Sequence, residues 1–360
     1  MAAASSASTA CSGARNEDRH AVTVVDLHNH FFPERWPDWD AKFGGEPWPS
    51  IRQDGGGKAT IMLGEKEFRR IDERCWNVAK RVEDMDRDGI ALQVISATPV
   101  LFAYGRPAAQ AADVAKFYND AALEMVAKSN GRLAALCQVP LQDPDLACQE
   151  LSRAMKAGHR GVQLGNHVGP KDFDDPGIVT FLQHCAAEGA AVLVHPWDML
   201  GGERTRRFMM AWTVSMPAET QLTLVAMILG GAFDRLPRSL KICFAHGGGS
   251  FAFLLGRLDN AWHHHPAVKG QAQHPPSSYC DRFYLDTAVF SPDALQMLIK
   301  TVGEDRVVLG SDYPFPLGEQ QVGKLVREST LSPAQKQKLL GANALHFLGL
   351  AAGRAAKAAE

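Results

Sequence analysis

Residues 22–33 read VTVVDLHNHFFP, a β-branched apolar run that closes on two histidines one residue apart. Alternate residues of a strand project to one face, so a single strand end presents His28 and His30 on the same side. A lone pair of this kind has two explanations, a metal half-site or two polar groups facing solvent, and it does not choose between them. The choice depends on how the other strands of the chain end.

Seven more short apolar runs follow, at 91–96, 133–139, 161–164, 191–194, 240–245, 282–287 and 307–310. Helix-patterned stretches at 108–129, 145–157 and 176–188 lie between them. Strand and helix in alternation predict a parallel sheet, and eight strands suffice to close it. The expected fold is α/β, a distorted (β/α)8 TIM barrel over residues 21–350. Two stretches exceed a minimal barrel. Residues 31–72, with Trp36, Trp39, Trp48 and the run Gly55-Gly56-Gly57, are expected as an inserted loop or small hairpin after the first strand. Residues 198–221, with Arg204, Arg206 and Arg207, are expected as a second insertion. Such insertions line or cover the barrel mouth. The Ala- and Ser-rich residues 1–20 are expected as a disordered tail, and residues 351–360 as a C-terminal tail.

Strand five runs into His195-Pro196-Trp197-Asp198, strand six into His246-Gly247-Gly248-Gly249, and strand eight into Ser311-Asp312-Tyr313-Pro314. In a barrel all these positions lie on the C-terminal face, where active sites are built. Singly, each histidine can be a hydrogen-bonded core residue and Asp312 a turn cap. Their joint appearance at strand ends favours one site. His28, His30, His195 and Asp312 form a mixed nitrogen and carboxylate set suited to Zn2+ or another borderline divalent ion. Zinc lowers the pKa of a bound water to about 7. His246 is then placed as general base or proton shuttle. Strand four, GVQLG at 161–165, offers no Lys or Glu to bridge a second ion, so one zinc per subunit is expected.

Composition narrows the rest. In 360 residues, 38 Lys and Arg against 40 Asp and Glu leave a formal charge of -2, so no basic field serves nucleic acid or an anionic membrane. No apolar run approaches the roughly 20 residues of a membrane span. Cys11, Cys75, Cys137, Cys148, Cys185, Cys243 and Cys280 form no CxxC pair, which reads as reduced thiols in a cytoplasmic protein. The glycines after His246 are not followed by Lys and Ser or Thr, so they serve close backbone approach rather than a phosphate. His263, His264 and His265 read as a solvated helix end. Trp197, Trp212 and Phe315 suit pocket lining and core packing equally.

The segments DLHNHFFP (26–33), LVHPWDM (193–199), MPAET (216–220), FAHGGG (244–249) and GSDYPFPLGE (310–319) resemble those of the aminocarboxymuconate-semialdehyde decarboxylases of the amidohydrolase superfamily. Cys75-Trp76, ATPV (97–100) and QVPLQDPDLA (138–147) look alike as well. The resemblance implies zinc on His28, His30, His195 and Asp312, with His246 catalytic. It implies that Arg69 and Arg257 bind the substrate carboxylates, a task suited to the planar fork of arginine. It further implies a homodimer in which Arg257 completes the partner's pocket. The implied reaction is non-oxidative decarboxylation of 2-amino-3-carboxymuconate 6-semialdehyde to 2-aminomuconate 6-semialdehyde. Its settings are tryptophan catabolism, through the kynurenine pathway and 3-hydroxyanthranilate, or nitrobenzoate-type catabolism. Two features depart from the family: the tail before Val22 is longer, and Asn29 stands where serine is more common. The same site also accommodates decarboxylation of an aromatic hydroxy acid such as a resorcylate, or a lactone hydrolase or hydratase reaction. A non-catalytic binding role is the reading of a different class.

Overall fold

A computed structural model describes residues 22–351. The expected tails over 1–20 and 351–360 lie outside the described residues, apart from Ala351. Eleven strands are present among the described residues: β1 Val25–Phe31, β2 Pro49–Gly55, β3 Lys58–Leu63, β4 Lys66–Asp72, β5 Leu92–Ala97, β6 Leu133–Ala135, β7 Gly161–Leu164, β8 Ala191–Val194, β9 Lys241–Phe244, β10 Tyr284–Asp286 and β11 Val307–Val308. Eight of them, β1 and β5 to β11, pair in parallel in chain order, in two arcs. Isolated parallel bridges join the arcs, Cys137 to Val162 on one side and Asn29 to Tyr313 on the other. The barrel is therefore closed, and the eight-stranded fold stands as expected from the eight apolar runs.

Helices return the chain outside the barrel, among them Val78–Asp88, Ala108–Lys128, Pro144–Ala157, Pro176–Ala187, Met216–Leu229, Phe251–His264 and Pro292–Val302. Aspartates start two of them well. Asp143 caps Pro144–Ala157 and Asp175 caps Pro176–Ala187, each accepting two backbone N–H bonds and each followed by proline at the first helical position.

Inside the barrel, Leu92 and Val94, Ala134 and Leu136, and Ala191 and Leu193 recur every second residue. They pack with Val25, Leu27, Cys243, Tyr284 and Val308. Leu345, Phe347 and Leu348, from the helix Asn343–Leu348, close the floor beneath them. Continuing the same alternation to the C-terminal strand ends carries the inward face onto Ser96, His195, Asp286 and Asp312. The interior is thus apolar at the floor and polar at the mouth.

Two readings of the sequence are sharpened. The stretch 31–72 is larger than a loop or hairpin: it holds a short helix, Trp39–Phe43, and the three-stranded antiparallel sheet β2-β3-β4. Ala59 and Ile61 bury its inner face. Of 198–221, only the first part is insertion, because a π-helical turn, Ala211–Ser215, feeds the barrel helix Met216–Leu229. The first strand also runs further than residues 22–27, so His28 and His30 sit within β1 rather than beyond it.

Candidate metal centre and active site

His28 and His30 reach the interior through an irregularity in β1. Pairing of β1 with β5 shifts register between Asp26 and Asn29. Without that shift, the alternation through Val25 and Leu27 would turn Asn29 inward and both histidines outward. The carbonyl of His28 receives the backbone N–H groups of Ser311 at 3.1 Å and Asp312 at 2.9 Å, binding the end of the eighth barrel strand to the first. Asn29 then faces away from the centre. Its Oδ1 accepts from Arg81 at 3.0 Å, and its Nδ2 donates to the Asp26 carbonyl at 3.1 Å. Fully buried Arg81 also donates to the His30 carbonyl. Asn29 therefore serves the outer support of the strand and leaves the metal face untouched.

The ligand atoms of His28, His30, His195 and Asp312 all lie within 4.8 Å of one another. His30 Nε2 is 3.2 Å from Asp312 Oδ1 and 3.3 Å from His28 Nε2. His28 Nδ1 donates to Asp286 Oδ2 at 2.6 Å, and His195 Nδ1 donates to the Pro196 carbonyl at 3.0 Å. Each bond holds the tautomer that leaves Nε2 a lone pair. Buried His195 Nε2 has no hydrogen-bond partner. Three imidazoles and a carboxylate converging around such an unsatisfied atom fit a borderline divalent ion.

Protonation favours the same use. Burial, with neighbouring imidazoles adding to it, holds His195 well below the ordinary histidine range, and burial lowers His30 to about 4. His246 is lowered by burial and by His28. Burial works against the charged form of His28, but the bond and charge of Asp286 outweigh it and raise that imidazole. For Asp312 and Asp286 burial acts upward, and the surrounding histidines outweigh it, so both stay ionised. His30, His195 and Asp312 are thus ready for a cation, and on His28 a cation would displace the proton that Asp286 favours.

His246 joins this cluster from the turn after β9. Its ring centroid lies 5.0 Å from that of His195 and 5.2 Å from that of His28, and neither of its nitrogens has a hydrogen-bond partner. It borders a cavity of about 680 Å³ together with His30, His195, Asp312 and Arg69. Trp197, Trp212 and Phe315 line the same cavity. Arg69, on β4 of the inserted sheet, stacks its guanidinium 4.3 Å from the Phe315 ring centroid. It forms no ion pair with another described residue, and burial lowers its pKa. Arg257 is different: it is exposed on Phe251–His264 and does not line the cavity of its own chain. The exposed Arg204, Arg206 and Arg207 and the exposed His263, His264 and His265 stay outside it too.

Asp286 was not singled out by the sequence reading, although the rule that found Asp312 also covers it. It ends the seventh barrel strand in YLDTAV, a lone carboxylate after an apolar run. Gln163, at the fourth strand, spends its amide on Ser96 and on the Ala97 carbonyl, so it supplies no bridging ligand.

The amidohydrolase family model matches residues 25–350. A 2-amino-3-carboxymuconate-6-semialdehyde decarboxylase from Dictyostelium discoideum is 40% identical over 331 residues, 91% of each chain. One from Caenorhabditis elegans is 30% identical, covering 91% of this chain and 94% of its own. A gamma-resorcylate decarboxylase from a Polaromonas strain is 26% identical, covering 80% and 93%. Among solved structures, the apo IDCase of Metarhizium anisopliae superposes with a TM-score of 0.77 at 25% identity, covering 91% of this chain and 97% of its own. A dihydroxybenzoic acid decarboxylase from Polaromonas, solved with manganese and 2-nitroresorcinol, has a TM-score of 0.73 at 23% identity, covering 93% and 99%. With the barrel, the ligand set and these similarities together, the chain belongs to the amidohydrolase family, in the group of its 2-amino-3-carboxymuconate-6-semialdehyde decarboxylase relatives.

Proposed function

We propose that this chain is a metal-dependent carboxy-lyase that decarboxylates 2-amino-3-carboxymuconate 6-semialdehyde without an oxidant. The observation that carries the reading is one cavity bordered at once by three of the four ligands, His30, His195 and Asp312, by unpartnered His246 and by Arg69, which pairs with no other described residue. The 40% identical relative of that name adds the substrate. One Zn2+ per subunit, held by His28, His30, His195 and Asp312, would supply Lewis-acid polarisation and a water acidified toward neutrality.

The residues of the chain divide the remaining work. Arg69 takes a substrate carboxylate on its planar fork, and its place against Phe315 restricts the directions that fork can adopt. Trp197, Trp212 and Phe315 exclude bulk water and strengthen that ion pair. The bond from carbon to carboxylate breaks, carbon dioxide leaves, and the carbon takes up a proton in its place. His246 moves that proton, because its two nitrogens are free of other partners. Arg257 belongs to the reading as a contact to a partner's site in a homodimer. Its support is its exposed place and the 73% exposed Phe253 one helical turn earlier. A cytoplasmic setting and tryptophan catabolism complete it, the former in keeping with six unpaired cysteines among the described residues.

Metal analysis combined with a spectroscopic decarboxylation assay on freshly generated semialdehyde, before and after chelation, tests ion and reaction together. Activity should vanish on chelation and return with zinc. His246→Ala should retain zinc and lose at least about a hundredfold in kcat, the usual scale of general acid–base catalysis. A variant that binds zinc and turns over at the wild-type rate removes His246 from the mechanism. Faster turnover of 2,6-dihydroxybenzoate than of the semialdehyde would favour the resorcylate reading, and labelled water kept in the product without carbon dioxide release would favour hydrolysis.

A further inference from the structure

Asp286 is fully buried, and its two oxygens serve two different parts of the site. Oδ2 accepts the Nδ1–H of His28 at 2.6 Å. Oδ1 accepts the backbone N–H of Gly247 at 2.9 Å and that of Ala288 at 3.1 Å. His28 is one of the four converging ligands, and Gly247 directly follows His246.

That turn needs an anchor. His246 has φ 54° and Gly247 φ 61°, both in the left-handed region, which disfavours a residue with a Cβ. Ala245 N–H, at the start of the turn, still pairs with the Val194 carbonyl of β8, but past it the backbone bonds Gly248 N–H to the Ala245 carbonyl and Gly249 N–H to the His246 carbonyl are internal to the turn. The His246 ring has no hydrogen bond of its own. Its aim is therefore set by the backbone beneath it, and the tie from Gly247 to Asp286 fastens that backbone to the barrel wall.

We propose that Asp286 is a positioning residue that couples the metal ligand His28 to the proton-moving His246. One carboxylate fixes which lone pair His28 offers the ion and anchors the turn that aims His246. Because the two ties use different oxygens, they compete in any replacement that has one acceptor. An asparagine has a single acceptor oxygen and a donor amide. If its oxygen faces His28, its NH2 meets the Gly247 N–H, donor against donor; the reverse orientation sets a donor against His28 Nδ1–H. Either way the neutral amide accepts more weakly than a carboxylate and lowers the basicity of His28. The His246 half of this inference rests on the function proposed above, whereas the metal half does not.

Asp286→Asn tests it with zinc as the probe, by competition against a chromophoric chelator. Zinc affinity should fall about 10- to 100-fold, the range usual for loss of a group that orients a metal-bound histidine. At saturating zinc, kcat should stay below wild type with KM little changed. In a His246→Ala background, adding Asp286→Asn should lower kcat no further, while the loss of zinc affinity persists. Unchanged zinc affinity overturns the metal half. Full recovery of kcat at saturating zinc, or an equal further loss in the His246→Ala background, overturns the coupling. If circular dichroism shows Asp286→Asn unfolded, Asp286→Ser is measured in its place, since its single short hydroxyl cannot make both ties. Should the wild type itself leave the semialdehyde untouched, the proposed reaction fails while the zinc comparison still reads Asp286.

Discussion

His195 holds one nitrogen on a backbone carbonyl, while the other, though buried, has no partner. A buried imidazole in that position stays neutral because desolvation opposes its charge. His30 and His246 share this condition, and only His28 is pushed the other way, by Asp286. The consequence can be measured on the metal-free protein. Unfolded histidines take up a proton near pH 6.5, whereas folded His30 resists until about 4. Between those values the unfolded state binds more protons, so stability falls as the pH is lowered. The raised His28 contributes in the opposite sense, with stability present below 6.5 and lost as pH rises through its folded value. Asp286 and Asp312, held low, keep their contribution throughout this window. Buried His159 is lowered as well, whereas Asp26, raised to about 7 by burial, opposes the trend as His28 does; four lowered imidazoles against these two groups predict a lower urea midpoint at pH 5 than at pH 7 for chelator-treated protein. An equal midpoint would mean that these histidines are not held neutral by the fold.

The decisive element is β1, whose register shift turns His28 and His30 toward the interior. It works only because the eighth barrel strand approaches closely just beyond its end. A Cβ built on Gly310 would lie 2.8 Å from His28 Cβ and 2.9 Å from Asp286 Cβ. Contacts that close are not relieved by a rotamer change, since both are the first side-chain atoms of buried residues. Gly310→Ala should therefore cost about 1–3 kcal/mol of stability, as overpacking does. It should also weaken zinc binding by separating His28 from Asp286. Urea unfolding and zinc titration check the two effects, and normal values in both would show that the strands have more slack than the packing implies.

For the molecule as a whole, the proposed function divides between an enclosed centre and an exposed helix. The enclosed part is self-sufficient in ligands, but Arg257 lies outside its own cavity on the Phe253 face. If a partner receives it, Arg257→Ala should keep its zinc and lose roughly 10- to 100-fold in kcat/KM, the scale of a charged hydrogen bond. Mixing Arg257→Ala with His246→Ala subunits should then regain activity, because one site of each mixed dimer contains both native groups. No regain, in dimers shown by sedimentation to exchange, would return Arg257 to surface duty. The mixing experiment separates the two cases without a crystal of the dimer.

Read by itself, the sequence determined the strand and helix alternation, the closure to eight strands and the five residues His28, His30, His195, His246 and Asp312 at strand ends. Local chemistry suffices there: apolar runs of strand length, helical spacing between them, and polar side chains at a boundary where nothing local requires them. It showed less of the insertion, because β2, β3 and β4 are held by antiparallel pairing with one another and by burial of Ala59 and Ile61. Tertiary structure alone decided which way β1 faces, since a register shift leaves no mark in a pattern of alternating residues. It also decided that Asp286 serves two groups, that Asn29 supports the outer wall through Arg81, and that Arg69 reaches the cavity while Arg257 does not. The physical reason is common to all of these. A side chain's role depends on which distant groups share its volume, and only the closed barrel brings residues 28, 246, 286 and 312 into one.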